Sequence, residues 1–285
     1  MKKFILSLGI LFFTSTALAY IPPYWMIMSR TADTHGRGTF QIDQDVVFSH
    51  GQETLIVNER WIIQGEQALR LEVTGRRQLQ DKLRLTYVYQ NGRRYFVDEN
   101  GVKKSEKISD DFFEVYFHFR FSKNIKPMLV AQKIAPAASL KSDPHRYSQK
   151  TPHAAPEPYV RLSRVGGTIS YAIGTPTPSA EEKTPGIWIE QDQFLIRKLR
   201  LASGLEILAN QYKTYSQNLQ LPQERVVNWR DQIIKININN AASVVAGPKV
   251  KAALDNASLN FGTDPKLSRV WPEDTVIRDF YNSLR

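Results

Sequence analysis

The chain has 285 residues, no cysteine and a formal net charge of +10. Without cysteine there is neither a disulfide frame nor an acylated cysteine at an export cleavage site, so an apolar core must hold the fold by itself. The charge favours anionic partners such as phospholipid or lipopolysaccharide head groups or acidic polymers. No nucleic-acid-binding motif is recognisable, which argues against that class.

The first residues read MKKFILSLGILFFTSTALAY. Lys2 and Lys3 form a basic start, residues 4–13 an apolar run too short to span a bilayer, and Ala17-Leu18-Ala19 a small-x-small site. This is the pattern of a secretory signal peptide cleaved after Ala19, and it is set aside from the fold. No other stretch approaches the ~18 apolar residues a membrane helix needs.

Strands follow in chain order. Residues 37–48 and 53–63 read as two long strands around a turn at Ser49-His50-Gly51. In 67–75, Leu69, Leu71 and Val73 alternate with Arg70 and Glu72. In 82–90, Leu83, Leu85, Tyr87 and Tyr89 oppose Lys82, Arg84 and Thr86. Asn91-Gly92 tolerates the positive φ of a two-residue hairpin turn, Tyr95-Phe96-Val97 returns, and Asn100-Gly101 marks the next turn.

The alternation breaks at 109–121, SDDFFEVYFHFRF. Ser109, Asp110 or Asp111 suits a helix start, and Phe113, Tyr116, Phe117 and Phe121 recur at helical spacing. An aromatic-faced helix is expected here, with helical character continuing through Met128-Leu129-Val130. Five prolines between 136 and 158 mark a long surface loop. Strands resume at 159–165 and 167–173, where Ile169, Tyr171 and Ile173 share a face. A second Pro-rich loop spans 174–186. Then come the hairpin IWIEQDQFLIRKLRL at 187–201, a strand from Tyr212 to Ser216, and strands at 223–229 and 231–239, the last with Ile234, Ile236 and Ile238 on one face. A small-residue-rich tail from 241 leads to a helix at about 273–284 with Val276, Phe280 and Leu284 on one stripe.

The hairpin at 187–201 is apolar on both faces: Ile187, Trp188 and Ile189 are consecutive, as are Phe194, Leu195 and Ile196. One face is expected to line a concavity. The other needs a cover, and the segment from Trp271 to Leu284 is the expected one.

Short hairpin connections imply a mainly β (α+β) fold: a large curved antiparallel sheet forming an incomplete β-barrel, its concave face plugged by one or two helices. Chemistry is sparse. His145 and His153 lie in the Pro-rich loop without a second ligand pair, His35 and His50 read as turn or helix-end residues, and His118 as a packing residue. Neither a G-x-S-x-G elbow, an H-E-x-x-H pair nor a phosphate-cradling glycine loop is present.

Several segments together resemble the outer-membrane lipoprotein-sorting (LolA-like) periplasmic proteins. These are NERWII at 58–63, LRLEVTG at 69–75, YVYQNGRRYFVDENG at 87–101, the hairpin 187–201, a Tyr-bearing strand at 211–215, LPQERVVNW at 221–229 and the closing strand DQIIKININ. The likeness covers about residues 37–240. It implies a half-barrel domain over 20–240, interrupted at 136–158 and followed by the 241–285 tail, and a periplasmic location in a Gram-negative-type envelope. It further implies a hydrophobic cavity that shelters acyl chains, with no metal, cofactor or catalytic residue. The expected cargo is a lipid or acylated protein, with an envelope membrane protein as donor or acceptor. Arg60 lies in about the strand that carries the gating arginine of the lipoprotein carriers, but its neighbours differ.

The expected cavity lining is Leu69, Leu71, Leu83, Leu85, Tyr87, Ile169, Tyr171, Ile234 and Ile236, with Phe113, Tyr116 and Phe117 closing it from the helix. Two rival readings stand beside a carrier. One is an envelope module whose concavity is filled by its own side chains and which binds a protein or anionic glycan through its surface. The other is an enzyme, which would require a polar cluster around His118.

Overall fold

The computed structural model describes residues 21–50, 53–141, 157–175, 178, 183–259 and 269–285. The signal-peptide pattern and His145 and His153 lie outside them.

Among the described residues, thirteen antiparallel strands form one sheet: β1 (Thr39–His50), β2 (Glu53–Ile63), β3 (Ala68–Gly75), β4 (Arg84–Gln90), β5 (Arg93–Val97), β6 (Lys103–Lys107), β7 (Val160–Val165), β8 (Thr168–Ile173), β9 (Gly186–Glu190), β10 (Ile196–Arg200), β11 (Glu206–Thr214), β12 (Gln220–Trp229) and β13 (Gln232–Val244). Their order is β6-β5-β4-β3-β2-β1-β13-β12-β11-β10-β9-β8-β7. Two meanders therefore meet where β1 pairs with β13, while β6 and β7, each paired on one side only among the described residues, form the opposite edges of an open sheet. The chain from β6 to β7 carries the short 3-10 segment Phe113–Phe117 and helix α2 (Ser122–Ala131).

Period-two patterning decides which face is buried. On the inner face Phe40, Ile42, Val46 and Phe48 of β1 meet Leu55, Val57, Trp61 and Ile63 of β2, then Leu69, Leu71 and Val73 of β3. The expected hairpin turn is present: Asn91 and Gly92 both have positive φ, at 52° and 72°. Gly75 ends β3 where a Cβ would lie 1.9 Å from the Leu79 carbonyl oxygen, so only glycine fits that approach. Helices α1 (Tyr24–Thr34) and α4 (Thr275–Ser283) share the main core with this inner face.

Four expectations are corrected. The helix expected over 109–121 is only the 3-10 segment Phe113–Phe117; the α-helix starts at Ser122. Ser109 Oγ accepts from the Asp111 amide, a local turn that competes with helix initiation. Phe121, expected on the aromatic face, is 60 % exposed.

The C-terminal helix does not cover the outer face of the 187–201 hairpin. Phe280 of α4 packs edge-on against Phe48 and Trp229, inside the main core. The outer face carries Trp188, which is covered by Lys198 and Arg200 over its ring, each 5.3 Å from the centroid. Arg200 also donates to the Thr184 carbonyl. The apolar second face is thus closed by the aliphatic stems and charges of neighbouring strands.

Ile169, expected to share a buried face with Tyr171 and Ile173, is 42 % exposed at the turn end of β8. A third helix, α3 (Pro248–Leu254), and the segment Asn256–Leu259 pack on the outer face of β3–β5, where Val88, Val97 and Leu259 form a small second core. Arg70 fixes this cover by donating to the Ala253 carbonyl and Ser258 Oγ.

Candidate functional site

Two features occupy the concave side. The first is a buried polar network at its centre. Glu59 on β2 accepts from Arg285 Nε at 2.8 Å and Nη2 at 3.2 Å, from Gln44 Nε2 at 2.6 Å and from Trp61 Nε1 at 3.0 Å. Glu114, on the 3-10 segment, takes Arg225 Nη1 at 2.9 Å and Arg285 Nη1 at 3.3 Å. His118 Nε2 lies 3.4 Å from Glu114. Burial opposes the charge on Glu114, but Arg225 and Arg285 outweigh it and hold the pKa well below the usual carboxylate range. Burial lowers the His118 pKa, against the pull of Glu114. The Arg285 guanidinium also lies 4.7 Å from the Phe113 ring centre and 4.9 Å from that of Phe280. The polar cluster that an enzyme reading would inspect around His118 is therefore a closed set of ion pairs, and neither His118 nor Glu114 borders the cleft described next.

The second feature is a cleft of about 580 Å³ at one end of the half-barrel. Its floor is Phe112, Val115 and Tyr116. One wall is Tyr89 with the β4–β5 turn, and the other is the face of α2 that presents Lys123, Pro127, Met128 and Ala131. Phe112 stacks on Tyr89 with centroids 4.7 Å apart, and Tyr89 on Trp61 at 5.8 Å. This aromatic stack runs from the cleft to the Glu59 network. Pro127 has no N–H for the Lys123 carbonyl one turn earlier, which leaves that part of the wall less tightly bonded. The hydroxyls of Tyr89 and Tyr116 have no hydrogen-bond partner among the described residues.

Of the expected lining, Tyr116 borders this cleft. Leu69, Leu71, Leu83, Leu85, Tyr87, Phe113, Phe117, Tyr171, Ile234 and Ile236 are buried in the packed core beside it, and Ile169 lies exposed away from both. Sequence reasoning did not find Phe112, Val115, Met128 or Ala131. Met128 was visible as part of a continuing helix, but its facing partner across the cleft was not. Among the described residues no group of three or more His, Asp or Glu side chains could hold a metal ion, and no helix is long and apolar enough to cross a membrane.

The fold and site define an open antiparallel half-barrel with helices across its concave face and an apolar cleft at one end. Solved structures similar to it include a putative outer membrane lipoprotein-sorting protein domain from Vibrio parahaemolyticus, at 10 % identity and a TM-score of 0.47, covering 82 % of this chain and 97 % of that one. A LolA-superfamily protein from Nitrosomonas europaea is similar at 8 % identity and a TM-score of 0.47, covering 79 % and 96 %. A DUF1329 family protein from Desulfovibrio piger is similar at 8 % identity and a TM-score of 0.46, covering 82 % and 97 %. No protein-family model matches the chain, and no curated protein matches it.

Proposed function

We propose that the protein is a periplasmic, non-enzymatic carrier or binding protein for a lipid, lipoprotein or similar acylated ligand, with the acyl chain seated in the cleft between α2 and the β4–β5 turn. The observation that carries this reading is the cleft itself: about 580 Å³, floored by Phe112, Val115 and Tyr116. That volume falls within the ~300–1,000 Å³ range of small-ligand sites. Each methylene removed from water there contributes about 0.8 kcal/mol. Lys123 at the wall offers a charge to an anionic head group. The export pattern in residues 1–19 supports the periplasmic location.

The test is native mass spectrometry of protein purified gently from cells. An adduct of lipid or lipopeptide mass, lost on delipidation and regained on adding the extract, is the expected result. A protein that neither co-purifies with nor takes up any acylated molecule would sink the reading.

One observation favours a second reading. The centre of the concave face is filled by the protein's own Glu59, Glu114, Arg225 and Arg285 rather than left open. If lipid uptake fails, an envelope interaction module that binds a protein or anionic glycan through its surface is the reading that remains.

A further inference from the structure

The segment around α2 combines an unusual charge distribution with exposed apolar groups. From 115 to 142 the sequence holds Arg120, Lys123, Lys126, Lys133 and Lys141 and no acidic residue. Lys123, Pro127 and Ala131 recur at i, i+4 and i+8 and are all exposed, as are Phe121 before the helix and Lys133 after it. Lys123 Nζ lies 5.8 Å from the Phe121 ring centre, so cation and aromatic sit side by side. The helix is held from beneath by Ile125 and Leu129, which are buried, and its outer stripe is left to solvent. Nearby acids are already engaged. Glu66 accepts from the Arg120 amide and from Asn124, Glu157 from the Tyr24 amide, and Asp110 from Lys107.

A lysine-bearing helix face flanked by an exposed phenylalanine has the chemistry of a membrane-surface contact, in which lysines meet anionic head groups and the ring enters the interface. We propose that the exposed face of α2, with Phe121, Lys123 and Lys133, seats the protein on an anionic phospholipid surface. Three residues of this stripe, Lys123, Pro127 and Ala131, also form a wall of the cleft, so the seated protein turns the cleft mouth toward the bilayer. The orientation of cargo exchange rests on the proposed function above; the docking does not.

Co-sedimentation with phosphatidylglycerol vesicles and with phosphatidylcholine vesicles tests it, with uptake of a fluorescent fatty acid measured separately in vesicle-free buffer. The protein should bind the anionic vesicles, bind the neutral ones far more weakly, and release as salt rises. Phe121→Ser should weaken vesicle binding several-fold. Lys133→Glu should weaken it by about fivefold or more, the equivalent of at least one lysine contact. Neither residue borders the cleft, so fatty-acid uptake should stay at the wild-type level. Equal binding to both vesicle types, no binding to either, or variants that bind like the wild type would overturn the docking proposal. Vesicle binding without fatty-acid uptake would instead overturn the carrier reading and leave the docking in place.

Discussion

Arg285 and Glu59 form a two-pronged ion pair with no solvent exposure on either side chain, linking residues 226 positions apart. Glu59 belongs to the middle of β2 and Arg285 follows α4, so the pair pins the C-terminal helix to the inner face of the sheet. Arg94 reinforces it from β5 by donating to the carbonyls of Tyr281, Asn282 and Arg285 at the end of α4, where a cation suits the helix dipole. Breaking a buried pair on one side leaves an uncompensated charge. Arg285→Met should therefore cost about 3–5 kcal/mol in urea unfolding. Adding Glu59→Gln should recover part of that loss, because it removes the stranded carboxylate; strict additivity of the two changes would contradict the coupling.

Acid should destabilise the fold through its buried histidines. His35 is pushed down to about 3 by burial, with a hydrogen bond to the Phe119 carbonyl opposing and the neighbouring His118 and Arg120 adding to the shift. That carbonyl can only accept, so Nδ1 carries the proton of the neutral ring. The unfolded histidine titrates near 6.5, so the unfolded chain gains protons first. Stability is complete above about pH 6.5 and falls as the pH drops toward 3, by up to about 1.4 kcal/mol per unit from this group. His118 is shifted the same way. Glu114, whose folded pKa is depressed, adds a further loss below about pH 4.3. His35→Asn keeps a donor for Phe119 and removes the titration. Its denaturation free energy should decline less steeply than wild type between about pH 6.5 and 4.

Trp188 reports on the outer face of the β9–β10 hairpin. Glu206 is paired with Lys198 at 2.9 Å and Arg200 at 2.7 Å, which holds both cations over the indole ring. Arg200→Ala should cost ~1–2 kcal/mol and shift tryptophan emission to the red as water reaches the ring. An unchanged spectrum would show that Arg200 is not the cover of the ring.

Filling the cleft should block binding without unfolding the protein. Ala131 is exposed on α2 and borders the cleft, so Ala131→Trp should change stability by no more than about 0.5 kcal/mol. Displacing two methylenes of an acyl chain costs about 1.6 kcal/mol, so fatty-acid affinity should fall by tenfold or more in a fluorescence titration.

The strands and most of their pairings were legible because alternation such as Leu69, Leu71, Val73 and Ile234, Ile236, Ile238 fixes register once one face is buried. The Asn91-Gly92 turn was legible because its backbone demands those residues. What could not be seen was long-range closure. Nothing local in β1 or β13 announces that the first and last strands pair at the centre of the sheet. Glu59, Glu114, Arg225 and Arg285 are ordinary charges in isolation and become a network only after strands far apart in sequence are brought together. The helix expected over 109–121 gives way for a related reason: Phe113 and Phe117 repeat at helical spacing, but they are buried by the surrounding sheet and need only one 3-10 turn to point inward. The candidate cleft shares this limit, since its floor and walls come from three separate segments.

Methionine labelling tests the central claim most directly. The chain has four methionines. Met128 borders the cleft, whereas Met28 lies on the buried face of α1. With carbon-13 in the methionine methyl groups, addition of a medium-chain fatty acid should shift or broaden the Met128 resonance and leave that of Met28 in place. A Met128 signal that does not respond at saturating ligand, or a response confined to Met28, would contradict acyl binding in the cleft.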